Sequence, residues 1–275
     1  MEEIETTARD WRRGIPRKRK IYSVIGILSW RNLSVRSTGI FIGLIGWSVV
    51  TGFGWVTPSL LPTPWDVLAT MYHLLQNGVL IEHMLSSLKR VILGFLVAFS
   101  IALPIGLVMG LWESFRKAVD PVIELLRPIP PIAIIPLGIL WFGIGEFSKV
   151  FIIAYAAFFP IALNVVGGIR QVDSIHIKAA QTLGANPMQI FYYVTLRSAI
   201  PNIIIGMRSG ISMAFISLVA AELIASNSGL GFLIQEARYV FKTDEVMVGM
   251  ITIGLLGFFI NRILIELEKY LIRWK

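Results

Sequence analysis

The chain has 275 residues, of which 55% are hydrophobic and 15% charged, and its mean hydropathy is +0.72. So little polar surface cannot coat a soluble globule, which excludes that class and indicates a protein of the lipid bilayer. The net charge of +8 comes from cations that flank apolar stretches, so it does not predict a nucleic-acid partner. The absence of cysteine excludes disulfides, thiolate metal sites and thiol nucleophiles.

The N-terminal residues 1–38 are predicted to form a basic cytoplasmic tail. They are rich in Lys and Arg, and cations beside a membrane span hold that side in the cytoplasm. A signal peptide is the alternative, but the following apolar stretch is too long for its h-region and no clear cleavage site follows. We therefore expect residues 39–57 to form a first transmembrane helix.

Residues 58–87 are predicted to be an outer interfacial segment. Pro58, Pro62 and Pro64 break the chain, and the helix that follows carries aromatic residues but no Lys or Arg. These features are typical of a helix at the membrane surface. An outer loop packed on the core is the alternative.

Five more apolar stretches follow, which gives about six crossings in total. With the N-terminus inside, both termini are cytoplasmic and residues 268–275 form a cytoplasmic tail. Arg238 and Lys242 are exceptions to this charge bias, since they fall in an outer loop. The predicted spans cover residues 91–112, 120–145, 150–169, 202–223 and 246–265.

The stretch predicted as the third span contains a proline cluster. Prolines in a helix leave backbone carbonyls without donors, and hydrocarbon offers no substitute donor. Neighbouring protein or a water-filled cavity must supply the missing hydrogen-bond donors. We therefore expect this segment to lie inside the helix bundle. The prolines are Pro128, Pro130, Pro131 and Pro136.

The longest polar insert lies between the fourth and fifth spans and is predicted to form two short helices with a glycine elbow. Asp173 or Ser174 caps the first helix, and Gly184 stands where a left-handed residue is needed to end it. Asn186 and Gln189 have the spacing of a capping box that starts the second helix. An ordinary solvated loop is the alternative from the pattern alone.

Four charged residues lie clearly within the predicted spans, away from their ends, where an ionisable side chain costs roughly 2.5–3.5 kcal/mol. Glu124 and Arg127 are close enough on one helix to pair with each other. Arg208 and Glu222 lie ~21 Å apart along one helix, so each needs a partner from elsewhere.

We hypothesise that Arg127, and with less support Arg208, attracts an anion into a translocation cavity. The alternative is structural: Arg127 neutralises Glu124, and Arg208 lies at the inner interface. Glu222 is expected to fix helix packing at a gate rather than to move a proton.

The elbow and the residues after it contain Lys178-Ala179-Ala180, Thr182-Leu183-Gly184-Ala185, Phe191, Val194-Thr195-Leu196 and Pro201. This sequence resembles the EAA loop of ABC-importer permeases, the cytoplasmic coupling helices that contact an ATPase subunit. The resemblance implies coupling helices at 173–197. Lys178 replaces the glutamate of the family and Arg197 replaces a proline, so the resemblance implies no salt bridge from the glutamate position. The implied coupling residues are Lys178, Ala179, Ala180, Leu183, Gly184, Ala185 and Phe191.

Further motifs resemble the permease branch that serves taurine, alkanesulfonates and nitrate. They are Leu126-Arg127-Pro128-Ile129-Pro130-Pro131, Trp141-Phe142-Gly143-Ile144-Gly145, Phe158-Phe159-Pro160-Ile161, Ala220-Ala221-Glu222-Leu223 and Ser228-Gly229-Leu230-Gly231. The implied fold is an all-α type I ABC importer permease, with an N-terminal helix before a core over 88–267. The expected pathway and gate residues are Glu124, Arg127, Pro130, Pro131, Arg208 and Glu222.

The resemblance also implies partners. They are a second permease subunit, expected to be a copy of this chain, two ATP-binding cassette subunits that hold ATP and Mg, and an extracytoplasmic solute-binding protein. The implied location is the inner membrane. Sulfonate, taurine, nitrate and neutral heterocycles all remain open as solutes.

An enzyme is not expected. His73, His83 and His176 fall in three separate segments without metal-ligand spacing, and no phosphate-binding GxxxxGK[ST] sequence occurs. We therefore expect no catalytic residue, metal or cofactor on this chain. A secondary transporter or channel without an ATPase is the alternative, but the two hydropathy halves show no clear symmetry.

Overall fold

The computed structural model describes residues 38–39 and 41–271. This part of the chain is helical, with no β-strand among the residues described. Almost all of the predicted basic tail, and residues 272–275 of the predicted C-terminal tail, lie outside the described residues.

The chain divides into two compact units, with the boundary along the sequence after Pro64. In the first unit, helix α1 (Phe41–Gly52) covers part of the predicted first span. At 1.5 Å per residue it is about 18 Å long, shorter than the hydrocarbon core of a bilayer. The Trp47 indole N–H donates a hydrogen bond to Pro62 O at 3.0 Å.

From Pro64 onward, the described part of the chain contains nine helices of nine or more residues, and a short helix (Pro187–Gln189) with a π-helical turn (Ile190–Thr195) precedes the eighth of the helices that are numbered here. Four helices are long and apolar enough to cross a membrane, and a bent pair adds a fifth crossing if it counts as one span. The helices are α2 (Pro64–Gln76), α3 (Val79–Leu111), α4 (Glu113–Leu126), α5 (Pro131–Phe142), α6 (Glu146–Arg170), α7 (Ser174–Thr182), α8 (Leu196–Ala225), α9 (Leu230–Tyr239) and α10 (Thr243–Leu271).

Helix α6 is the centre of the core and packs along both α3 and α8. Glycines permit this close approach. A Cβ added at Gly106 of α3 would lie 2.7 Å from Val165 of α6, and one added at Gly110 would lie 2.6 Å from Ile169. The absence of a side chain at these two glycines therefore allows α3 and α6 to pack closely.

Helix α3 begins at Val79, well before the predicted start at residue 91. The prediction began the span at the first residue after the charged pair Lys89 and Arg90. In the structure Arg90 is only 3% exposed and is paired inside the helix bundle, so its charge does not end the helix.

The predicted third span is two helices instead of one, because α4 and α5 meet at an angle of 98°. The break covers residues 127–130, where the proline cluster begins. The Tyr155 hydroxyl of α6 donates to Leu126 O at 2.7 Å, so neighbouring protein provides a hydrogen bond for a carbonyl at the break.

Candidate functional site

The elbow after α6 has the local structure that its sequence predicts. Asp173 Oδ1 accepts a hydrogen bond from the Ile175 N–H at 2.9 Å and so caps α7. Gly184 has φ +81°, and the Ala185 N–H donates to Ala180 O at 3.0 Å. This geometry is a Schellman motif that ends α7, and the left-handed position requires glycine.

The capping box of the second elbow helix is also confirmed. Asn186 Oδ1 accepts from the Gln189 N–H at 2.9 Å, and Gln189 Oε1 accepts from the Asn186 N–H at 2.8 Å. The second helix is not a separate element, however. It continues through a π-helical turn (Ile190–Thr195) into α8, so that one long helix covers Pro187–Ile224. Pro201, which directly precedes the predicted fifth span, lies inside α8 and does not end the helix.

The elbow carries apolar side chains in an exposed position. No residue of α7 is buried, and Ile175, Leu183 and Met188 are 67%, 87% and 65% exposed. The residues identified with the EAA loop all lie here and are exposed or half-buried: Lys178, Ala179, Ala180, Leu183, Gly184, Ala185 and Phe191.

A cavity of about 550 Å³ lies where the break between α4 and α5 faces α6 and α8. Of the predicted pathway residues, Arg127 and Pro131 line it, whereas Glu124, Pro130, Arg208 and Glu222 do not. Sequence reasoning missed the polar residues that α6 and α8 contribute. The lining comprises Arg127, Ile129, Pro131, Tyr155, Ala156, Phe159, Pro160, Leu163, Asn164, Ser209 and Met213.

The charge of Arg127 is not balanced within this cavity. Among the described residues, neither Arg127 nor Glu124 takes part in an ion pair, so the local pair that their spacing allows does not form. No carboxylate lines the cavity either. A cation without a counterion in a cavity produces a positive potential that favours anions.

Arg208 lies in a different environment. Its Nε donates to Asn261 Oδ1 at 3.1 Å, and its Nη1 lies 3.6 Å from Glu268 Oε2, both on α10. These groups balance its charge. It lines a second cavity of about 340 Å³, formed by Ile205, Arg208, Ser209, Ser212 and Asn261.

Glu222 is 1% exposed and belongs to a buried polar network. Its carboxylate accepts hydrogen bonds from Ser87 Oγ at 2.9 Å, Arg90 Nη1 at 2.7 Å and the Gly231 N–H at 2.9 Å. The partner that Glu222 needs thus comes from another helix, because Ser87 and Arg90 belong to α3.

Arg90 extends this network to α6. Its Nε and Nη2 donate to the two carboxylate oxygens of Glu146 at 2.8 and 2.7 Å, and its Nη1 also donates to Ser228 O at 2.6 Å. Lys149 Nζ lies 3.0 Å from Glu146 Oε1. Two cations therefore face two carboxylates, and the network joins α3, α6, α8 and the turn that precedes α9.

The network and the elbow lie at opposite ends of α6. Glu146 is the first residue of this helix and Arg170 the last, and the elbow begins a few residues later. A helix of this length spans about 38 Å, which is enough to cross a bilayer. The chain thus has one ion-paired end and one exposed elbow, with the cavity residues of α6 between them.

Comparison with known proteins gives consistent results. The model of the family described as "Binding-protein-dependent transport system inner membrane component" matches residues 102–274. A taurine transport system permease protein of Escherichia coli is 37% identical, over 90% of this chain and 94% of its own. A putative aliphatic sulfonates transport permease protein of Bacillus subtilis is 37% identical, over 83% of both chains.

Two more distant comparisons agree. A nitrate import permease protein of Synechocystis is 29% identical, over 86% of this chain and 88% of its own. A solved structure of the MetNI methionine ABC transporter, in an inward-facing conformation, has a TM-score of 0.55 and 21% identity. It covers 68% of this chain and 96% of that chain, and the likeness concerns the fold.

Proposed function

Because this chain belongs to the family of binding-protein-dependent transport system inner membrane components, we propose that it forms the translocation pathway of an importer for a small anionic solute. The chain is an integral membrane permease of an ABC transporter and is not itself catalytic. The proposed solute is a sulfonate, taurine or a nitrate-like anion, by analogy with the printed names of the relatives. An extracytoplasmic binding protein delivers it.

The observation that supports an anionic solute is the guanidinium of Arg127, which lines the cavity without a counterion among the described residues. A guanidinium offers five N–H donors and binds oxyanions with two parallel hydrogen bonds. Pro131 and the preceding Pro130 hold the chain in the bend that brings Arg127 to the cavity. These three residues are the proposed pathway.

The exposed elbow is the proposed contact with the ATPase. The apolar side chains of Ile175, Leu183 and Met188 are exposed there, and such residues are typical of a surface that a partner covers. ATP and Mg bind to the partner subunit. The proposed assembly has two copies of this permease and two ATPase subunits, so that each elbow contacts one ATPase.

This assignment sets the orientation of the chain in the inner membrane. The elbow and both termini lie in the cytoplasm, and the Arg90–Glu222 network lies at the outer end, near the binding protein. Glu222 then has a structural role at the outer gate, as the holder of the turn before α9. Arg208, which pairs with Glu268, stabilises the contact of α8 with α10.

Uptake by the reconstituted transporter tests the role of Arg127. The assay uses proteoliposomes with the permease, its ATPase and its binding protein, and it measures initial uptake of a labelled alkanesulfonate. We expect R127Q to lower uptake at least tenfold and R127K to retain an intermediate rate, because a lysine keeps the charge but not the planar fork. The control is R262Q, since Arg262 forms only an exposed ion pair with Glu266 on α10. Normal uptake by R127Q, with normal ATPase coupling, would contradict the proposal.

A further inference from the structure

Asn164 of α6 lines the cavity and has an open carbonyl oxygen. Its Nδ2 donates to Pro160 O at 2.7 Å, and because a carbonyl only accepts, the amide has one possible orientation. Asn164 Oδ1 then has no hydrogen-bond partner among the described residues. Every buried side-chain N or O atom among the described residues has a hydrogen-bond partner. Since Asn164 Oδ1 has none, it is not buried but accessible.

Ser209 contributes a second open group. A serine in a helix usually donates to the carbonyl of the preceding turn, as Ser212 Oγ does to Arg208 O at 3.0 Å. The Ser209 hydroxyl makes no such bond to any described residue, although it lines the cavity. It is free to donate to a solute or to accept from it.

The remaining surface of the cavity is mostly apolar or already bonded. The Tyr155 hydroxyl donates to Leu126 O, so its proton is not available to a solute. Phe159, Leu163 and Met213 contribute apolar side chains. Among its lining side chains, the cavity thus combines one cation, one open amide oxygen and one open hydroxyl with walls that suit a short alkyl group.

We propose that Asn164 and Ser209 determine specificity, by selecting an organic anion that also carries a hydrogen-bond donor such as an ammonium or hydroxyl group. Asn164 Oδ1 accepts from that donor while Arg127 binds the anionic group, and Ser209 adds a bond to either. A solute without a donor leaves the amide oxygen desolvated and unpaired, which disfavours it. This inference rests on the proposed function of the cavity.

The test compares 2-aminoethanesulfonate with ethanesulfonate, which has the same alkylsulfonate part but no ammonium group. Initial uptake of both is measured in proteoliposomes that contain the complete transporter. Because every variant is assayed with the same binding protein, the selectivity of that protein cancels when uptake ratios are compared between variants.

The variants are N164L and S209A. Leucine keeps the branch at Cγ, and so the shape, but offers no acceptor. We expect N164L to lower the ratio of 2-aminoethanesulfonate to ethanesulfonate uptake about tenfold, the size of one charge-assisted hydrogen bond. S209A is expected to lower it less. The matched control is S212A, which removes a hydroxyl already bonded to Arg208 O, and the ratio should stay at the wild-type value.

The possible outcomes separate this inference from the proposed function. If N164L and S209A slow both solutes equally and leave the ratio unchanged, the specificity role is overturned, while the pathway stands. If R127Q leaves uptake of both solutes unchanged, the anion pathway itself fails. If N164L does not yield an assembled transporter, S209A decides alone, and an unchanged ratio in S209A overturns the inference.

Discussion

Arg90 of α3 and Glu222 of α8 form a buried ion pair, with Arg90 Nη1 2.7 Å from Glu222 Oε1 and both side chains at most 3% exposed. The pair is one part of a network in which every carboxylate faces a cation. Removing one member of such a pair leaves an uncompensated charge in a medium that solvates it poorly.

We therefore expect R90M to destabilise the protein by about 3–5 kcal/mol, measured by unfolding in detergent micelles. The double variant R90M/E222L should recover part of this loss, since it replaces the unpaired carboxylate by an apolar side chain. The control is R116M, whose partly exposed pair with Asp120 should contribute at most about 1 kcal/mol. Equal stabilities of R90M and R116M would show that the network does not hold this end of α3, α6 and α8 together.

Gly229 is expected to be intolerant of any side chain. Its φ is +113°, and a Cβ there would collide with the carboxylate of Glu222. G229A should therefore lower the midpoint of thermal unfolding, with a loss of about 1–3 kcal/mol from backbone strain alone. Gly145 is the matched control, because it has extended backbone and open space around its Cα, so G145A should unfold like wild type. A G229A protein as stable as G145A would contradict this packing.

The contact of α3 with α6 gives another prediction. A Cβ at Gly106 would lie 2.7 Å from Val165 Cβ, so G106A must push the two helices apart. We expect a loss of about 1–3 kcal/mol in unfolding experiments. G254A, in α10, has nothing within 4 Å of the added Cβ and should be neutral or slightly stabilising. The prediction fails if both alanine variants have the same stability.

The elbow was predictable from sequence because its determinants are local. Asp173, Gly184 and the Asn186 capping box act within five residues of chain, and each was confirmed. Helix continuity after Gln189 was not predicted. Nothing in the residue types distinguishes a short coupling helix from the start of a long span, because tertiary packing decides how far the helix continues.

The ion network was only half predictable. The sequence indicates that Glu222 needs a partner, because an unpaired charge in the membrane is costly in free energy. That partner, Arg90, lies 132 positions away in the sequence. Arg90 was missed because a charge beside an apolar stretch normally marks the end of a span. The expected cavity was only partly predictable: Arg127 carried a charge signal, whereas Asn164 and Ser209 are ordinary helix residues until α6 and α8 are packed together.

The measurement that tests the central claim most directly is co-purification of an ATPase subunit with the permease from detergent-solubilised membranes. It uses wild type, G184D and G184N, with mass spectrometry and an ATPase assay of the purified material. Asparagine tolerates the left-handed backbone of position 184 and adds no charge, so it is the control for aspartate. We expect wild type and G184N to retain an ATP-binding subunit and its stimulated hydrolysis, and G184D to lose one or both. If wild type carries no ATPase subunit, the importer assignment is contradicted and a transporter that works without ATP takes its place.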